Sequence, residues 1–317
     1  MTGTRSSVTS TGVDWPVLRV DDWAETRRTL HMWMQVIGKV RLALGPMVNH
    51  WWQVPLYLSA RGLTTSPMPH RGRLLEIEFD FWDHELHLRS SAGPTRHLVL
   101  ESQPVAAFYQ RVLDVLAELG MPVRIDTTPT EVTEAIPFPR DTQHSTYDAG
   151  QAHLFWKQLV AVQQVFTEFR ARFIGKVSPV HFFWGAMDLA TTRFSGRPAP
   201  RHPGGAPHCA DWVMVEGYSH ELSSAGFWPG GSAEGTFYSY AYPEPPGYAE
   251  RPVEPAAAGY DRQVGEFLLP YQAVRSAADP RGALLEFLQT TYAAAAEAGR
   301  WDRQALEDDP LRRASPR

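Results

Sequence analysis

The stretch VIGKVRLALGPMVNHWW occupies residues 36–52, and FIGKVSPVHFFWG occupies residues 173–185. Ile-Gly-Lys-Val stands in both. In each it is followed by a histidine (His50, His181) and by paired large aromatics, Trp51-Trp52 in the first and Phe183-Trp184 in the second. Arg61-Gly62 beyond the first copy and Arg193 with Gly196 beyond the second extend the alignment. A four-residue match is a common accident; the order of elements around it decides the fold. The tetrapeptide itself reads as a helix end, with Gly38 and Gly175 closing the helix in the left-handed conformation and Lys39 and Lys176 beside the exposed carbonyls.

Working outward, WPVLRV (15–20) reads as a short strand. The next segment reads as a helix, capped by Asp21 or Asp22, with Trp23, Thr26, Leu30, Trp33 and Ile37 at helical spacing. Residues 50–60 read as a strand. In LLEIEFDF, Leu75, Ile77, Phe79 and Phe81 alternate with Glu76, Glu78 and Asp80, the pattern of a strand with one buried and one solvated face. A helix beginning near Ser102 and Pro104 carries the stripe Val105, Phe108, Val112, Val115 and Leu119, and Gly120 ends it. The pattern then restarts: MPVRI (121–125) as a strand, a helix opened by Asp148, the single strand HFFWGAMDLATTRF, further strands in 212–221, 236–242 and 264–269, and a helix from Pro280 to Ala298.

The expected fold is therefore α+β, with two pseudo-repeated halves, each a mostly antiparallel sheet covered by two helices. This is the element order of TATA-binding-protein-like and helix-grip folds. Residues 1–13 form a polar, disordered N-terminus, 14–120 the first half, 121–301 the second, and 302–317 a charged tail that frays. The Pro/Gly-rich run 197–209 is a mobile loop.

Composition narrows function mainly by exclusion. Hydrophobic residues make up 43% of 317, enough for a sizeable core. The net charge is −5 and no long basic run occurs, which speaks against a nucleic-acid surface. Cys209 is the only cysteine, so no intramolecular disulfide or multi-cysteine metal site forms, in keeping with a reducing cytoplasm. The first residues lack the apolar stretch of a secretory signal, and no apolar run is long enough to span a membrane. No P-loop, dinucleotide glycine fingerprint, nucleophile elbow or HExxH occurs.

Several longer strings are distinctive: TLHMWMQVIGKVRLALGPMVNHWWQVPLYLSARGLTT, FRARFIGKVSPVHFFWGAMDL, TRFSGRPAP, YSHELSSAGFWPG, YSYAYPEPPGY and EFLLPY. On these the chain resembles an uncharacterised bacterial family defined only as a domain of unknown function. The resemblance runs over roughly residues 15–300. It implies one full-length unit and carries no activity, cofactor or catalytic residue with it.

What remains is polar groups embedded in aromatic strands. His181 and Arg193 share a face if their strand is regular, with Asp188 opposite; Tyr218 and His220 share a strand face. The expectation is a small anionic ligand in a polar-aromatic cavity between the halves, contacted by Arg61, Arg193, Tyr218 and His50. In an enzymatic version His181 or His220 acts as general acid or base. If the strands of His181 and His220 pair, the two imidazoles and a carboxylate would suit a divalent metal, but hydrogen-bonded structural histidines are the stronger reading of the pattern, and no metal or cofactor is assigned. The alternative is a non-enzymatic interaction or assembly protein whose exposed aromatics form a homo-oligomer or partner interface.

Overall fold

A computed structural model describes residues 14–93 and 95–308; the N-terminal stretch 1–13 and the end of the charged tail lie outside the described residues. Residues 15–20 are irregular rather than a strand. No sheet edge is offered to them; instead the Val20 amide donates to the Ala233 carbonyl at 2.8 Å, in the second half. Helix α1 (Ala24–Leu44) follows, then a single 3-10 turn at Asn49–Trp51. Six strands come next: β1 (Tyr57–Leu58), β2 (Gly62–Thr64), β3 (Met68–His70), β4 (Arg73–Asp80), β5 (Glu85–Ser90) and β6 (Thr95–Val99). Helix α2 (Val105–Glu118) closes the half, and Gly120 takes a φ of +69° just past its end.

Residues 121–125 are again irregular. Helix α3 (Ala149–Ala171) is capped by Asp148, whose carboxylate accepts from the Gln151 amide at 2.9 Å. Strands β7 (His181–Phe183) and β8 (Asp188–Pro198), the short helix α4 (Asp211–Gly217), and strands β9 (His220–Trp228), β10 (Thr236–Tyr242), β11 (Gly259–Asp261) and β12 (Glu266–Pro270) follow. The chain ends in α5 (Tyr271–Arg275), α6 (Pro280–Ala298) and α7 (Arg303–Leu306). Part of the charged tail is thus helical, held by Arg303 to Glu297 and Glu307.

The protein is α+β, with two antiparallel six-stranded sheets, one in each half. Their orders are β1-β2-β4-β5-β6, with β3 on β4, and β11-β12-β10-β9-β8-β7. One face of each sheet lies against helices. Leu75, Ile77 and Phe79 of β4 and Leu86 and Leu88 of β5 are wholly buried there, as are Phe182, Leu189, Phe227 and Phe237 in the second half. The helices touch in the order α2, α1, α3, α6, and one continuous apolar core runs beneath them through both halves. Edge strands β1 and β7 meet: Leu56 and Phe182 exchange both backbone hydrogen bonds, each at 2.9 Å.

The bridge joins the halves edge to edge. The twin tetrapeptides do not occupy equivalent places. Gly38 lies in the interior of α1, and Gly175 lies beyond the end of α3; neither takes a positive φ or closes a helix. Gly38 is required for close approach: a Cβ there would stand 2.3 Å from the Trp184 indole. The paired aromatics and the Arg-Gly motifs also sit in unlike elements: Trp51 ends the 3-10 turn while Phe183 ends β7, and Arg61 precedes β2 while Arg193 lies within β8.

HFFWGAMDLATTRF is not a single strand. Residues 184–187 turn, and Met187 has φ +64°, so β7 folds back on β8 with His181 opposite Ala190. The turn reverses the expected facing. His181 and Asp188 share the face away from the helices, and Arg193 points to the helix side.

Candidate functional site

On the side of the sheets away from the helices, the seam between the halves gathers groups from both. The 3-10 turn puts His50 (φ +58°) and Trp51 (φ +65°) in left-handed backbone, a conformation costly for bulky residues. This strained turn aims His50 inward and sets Trp52 at the centre of the cluster. The Trp52 ring lies 5.2 Å from His50, 5.7 Å from His181 and 5.8 Å from Phe194. Lys176 approaches the Trp52 and Phe194 rings at 5.4 and 5.5 Å. His220 meets His50 edge-on at 5.5 Å.

The hydrogen bonds of His50 define its tautomer. Its Nδ1 is 3.2 Å from the Gly217 carbonyl, which can only accept, so the ring hydrogen sits on Nδ1. Its Nε2 is then a lone-pair acceptor, and the Lys176 ammonium donates to it at 2.7 Å. The His50 amide donates to Glu216 at 2.9 Å, tying the strained turn to α4. Burial, Lys176 and His220 hold the His50 pKa below its ordinary value. Burial also lowers that of Lys176, against an opposing pull from Glu216.

Across Trp52 lies His181. It is 1% exposed, surrounded by Trp52, Tyr57 at 5.6 Å and Phe183 at 5.3 Å, and neither ring nitrogen has a hydrogen-bond partner. Burial first, then Arg41 and Arg170, push its pKa down to about 3, so it is neutral at ordinary pH. The Arg41 guanidinium sits 5.5 Å over the Tyr57 ring with its Nε unpartnered. Among the described residues, neither Arg41 nor Lys176 has a carboxylate within 4.0 Å.

The rest of this face in the second half is a hydrogen-bonded polar layer. Tyr238 donates to Asp188, the Tyr218 and Tyr240 hydroxyls lie 2.8 Å apart, and Thr192 meets Ser224 at 2.9 Å. Gly226 makes room for the Tyr238 ring, which would lie 2.3 Å from any Cβ there. Burial pushes the Asp188 carboxyl up to about 7, the Tyr238 hydrogen bond pulls the other way, and Glu131 and Glu266 raise it further. The 197–209 run crosses this layer, with Tyr242 donating to the Pro200 carbonyl at 3.0 Å and His202 stacked on Tyr218 at 4.6 Å.

Of the residues singled out in the sequence, His50 and His181 flank Trp52 and His220 meets His50, whereas Tyr218 closes α4 instead of sharing a strand with His220 and packs on Tyr240, Tyr242 and His202. Arg61 does not join them. It pairs with Asp80 and Asp83 on the first sheet, where Arg89 also pairs with Glu78 at 2.7 Å, so the Glu76–Asp80 stripe is an ion-paired face. Arg193 is sealed on the helix side, its guanidinium 3.5 Å from the Phe169 ring and 4.3 Å from Tyr292. His181 and His220 lie on strands separated by β8, opposite Ala190 and Pro198, so they cannot share an ion. No cluster of three metal-ligating side chains occurs among the described residues. The exposed tryptophans Trp82, Trp212 and Trp228 lie on three separate elements. Sequence reasoning missed Arg41, Trp52, Tyr57 and Glu216. It took Lys39 and Lys176 for cap residues, whereas Lys39 is buried and pairs with Asp126 at 2.8 Å.

The profile of a family described as being of unknown function, DUF5996, matches residues 15–308. The chain belongs to that family. No curated protein and no solved structure matches it. Among the described residues, no helix is long and apolar enough to cross a membrane.

Proposed function

We propose that this protein binds a small anionic molecule in the seam between its halves, against the Trp52 face. The observation that carries the reading is the pairing of two cations that lack a carboxylate, Arg41 and Lys176, with a buried histidine whose ring nitrogens are both unpartnered. Buried polar atoms ordinarily find partners, and cations with no carboxylate bonded to them attract an acidic group. Apolar walls with a few convergent polar groups are the usual make-up of a small-molecule site. Trp52, Phe194, Tyr57 and Phe183 supply the walls here. Arg41 and Lys176 take the role that the sequence suggested for Arg61 and Arg193. His50 and His220 are placed to accept or donate a proton at the bound molecule.

Isothermal titration with inorganic phosphate and with benzoate tests this, using ethanolamine as a cationic control. Binding of an anion by the wild type, weakened about tenfold or more in Arg41→Gln and in Lys176→Met, supports the reading, since loss of a charged hydrogen bond is worth roughly 1.5–3 kcal/mol. Equal binding in wild type and both variants, or binding of ethanolamine alone, overturns it.

A further inference from the structure

The chain uses lysine sparingly. Of 30 basic residues other than histidine only three are lysine: Lys39, Lys157 and Lys176. Lys39 is buried on Asp126, and Lys157 pairs with Asp14 at the surface. Lys176 alone among them has no carboxylate within 4.0 Å; its amine rests on His50 Nε2 and over two aromatic faces. For a purely ionic contact, arginine, which supplies most of this chain's cations, would serve as well or better, because its guanidinium stays charged and binds in a fork. What arginine cannot do is give up its proton and attack a carbon. A lysine amine can, once desolvated or set beside another base.

We propose that Lys176 is a nucleophilic amine that forms a Schiff base with a small carbonyl compound bearing an acidic group, with His50 as the proton acceptor. The inference rests on the anion-binding reading of the same seam. The geometry supplies each part. Gly217 holds the His50 hydrogen on Nδ1, leaving Nε2 free to take a proton from the ammonium 2.7 Å away. Glu216, on the amide of the same residue, stabilises the imidazolium that results. The neutral amine attacks the carbonyl carbon, so a C–N bond forms and the C=O π bond breaks. The oxygen takes the proton held by His50, giving a carbinolamine. Transfer of a second nitrogen proton to that hydroxyl releases water and leaves a protonated imine. The net change is ammonium plus carbonyl to iminium plus water, with no oxidant or reductant consumed. The acid group of the substrate is held by Arg41, and Trp52 stacks against its body. Lys176 is open to solvent, so a carbonyl compound can reach its amine, and partial desolvation shifts the amine toward its neutral form.

The test is reductive trapping with cyanoborohydride, which reduces the imine to a stable secondary amine, followed by peptide mass spectrometry of the full-length protein. Two carbonyl probes are used. Formaldehyde, uncharged, reads the amine alone; pyruvate, a 2-oxo acid, reads amine and anion site together. Lys157 is the reference within the same chain. The expected result is labelling of Lys176 faster than Lys157 with formaldehyde, by about tenfold or more, as expected of an amine with a base beside it. With pyruvate the preference for Lys176 is larger still. It shrinks with pyruvate but not with formaldehyde in Arg41→Gln, and it shrinks with both in His50→Gln. Lys176→Arg abolishes the label at that position. If Lys176 and Lys157 react with formaldehyde at equal rates, the amine is ordinary and the inference falls, whatever the anion titrations give. If Lys176 is selectively reactive toward formaldehyde but shows no added preference for pyruvate, the nucleophile stands and the anion-binding reading fails.

Discussion

A glycine in the middle of a helix invites replacement by alanine, and Gly38 gives that expectation a definite sign to be tested against. On helix propensity alone, Gly38→Ala within α1 should stabilise the protein by about 1 kcal/mol. The structure reverses the sign. An alanine Cβ would lie 2.3–2.4 Å from three atoms of the Trp184 indole, well inside van der Waals contact. Trp184 cannot step aside freely. It is 5% exposed, and its Nε1 donates to the Val54 carbonyl at 2.8 Å. It also lies in the β7–β8 turn, whose Trp184 and Gly185 carbonyls meet His31 of α1 at 3.0 and 2.9 Å. Overpacking of a close-packed contact costs about 1–3 kcal/mol, and the Trp184 hydrogen bond contributes about 1 kcal/mol more if the indole is displaced. Against the propensity gain, the net is a loss of about 1–3 kcal/mol. Urea unfolding at pH 7 is the assay: the midpoint of Gly38→Ala falls while the slope is unchanged. Gly38→Ser falls further. A midpoint equal to or above wild type would show that α1 does not press on Trp184 as described, and the account of how the halves are joined would fail with it.

Other substitutions separate structural from functional roles. Arg193→Ala should lose roughly 3 kcal/mol or more, as for truncating a large buried side chain, whereas Arg193→Met restores most of it, because the guanidinium has an aromatic cage and no carboxylate to leave behind; paired urea curves check this. His181→Leu should leave the neutral-pH midpoint within about 1.5 kcal/mol of wild type while weakening phosphate or benzoate binding. The same variant should resist acid better: with the folded pKa near 3 and an unfolded value near 6.5, the unfolded chain binds more protons across that window, so wild-type stability falls as pH drops below about 6.5, by up to about 1.4 kcal/mol per unit. Asp188 works in the opposite direction. Its folded pKa, near 7, lies above the unfolded value, so the stability it contributes is lost as pH rises from about 4 to 7, and Asp188→Asn should gain on wild type at pH 8 relative to pH 4 in thermal melts.

Alternation and helical spacing carried most of the fold into view. The stripe Leu75–Phe81, the helix opened by Asp148 and the helix begun at Pro280 depend on side chains that partition by polarity, and that partition is written locally. Residues 15–20 and 121–125 misled because a strand needs an edge to pair with, which no local pattern records. The turn at Trp184–Met187 was hidden because WGAM is apolar throughout and contains no strong turn pair. Missing it inverted the faces of Asp188 and Arg193, since one break in a strand moves every later side chain to the other side. His50, His181 and His220 were legible as histidines among aromatics. Arg41 was not, because on α1 it reads as one more basic residue in the last turn. Lys176 had a signal that was overlooked: it is one of three lysines among many arginines.

The two halves share an architecture and differ in what they do with their uncovered faces. In the first, carboxylates and cations stand in pairs, Arg61 on Asp80 and Arg89 on Glu78, and the face is complete without a ligand. In the second, the phenols of Tyr218, Tyr238 and Tyr240 and the Asp188 carboxyl satisfy one another. Where the sheets meet, both His181 ring nitrogens and the Arg41 Nε have no hydrogen-bond partner, and the Lys176 ammonium rests on an imidazole and not on a carboxylate. The seam is also where the chain accepts strained backbone at His50 and Trp51, and where the Leu56–Phe182 bridge joins the two sheet edges. Strain that the surrounding structure sustains, together with polar groups held apart from their natural partners, is what a binding site requires before its ligand arrives. A seam built only to hold the halves together would instead fill with apolar side chains, as it does on the helix side, where Leu56, Phe155 and Phe182 are wholly buried.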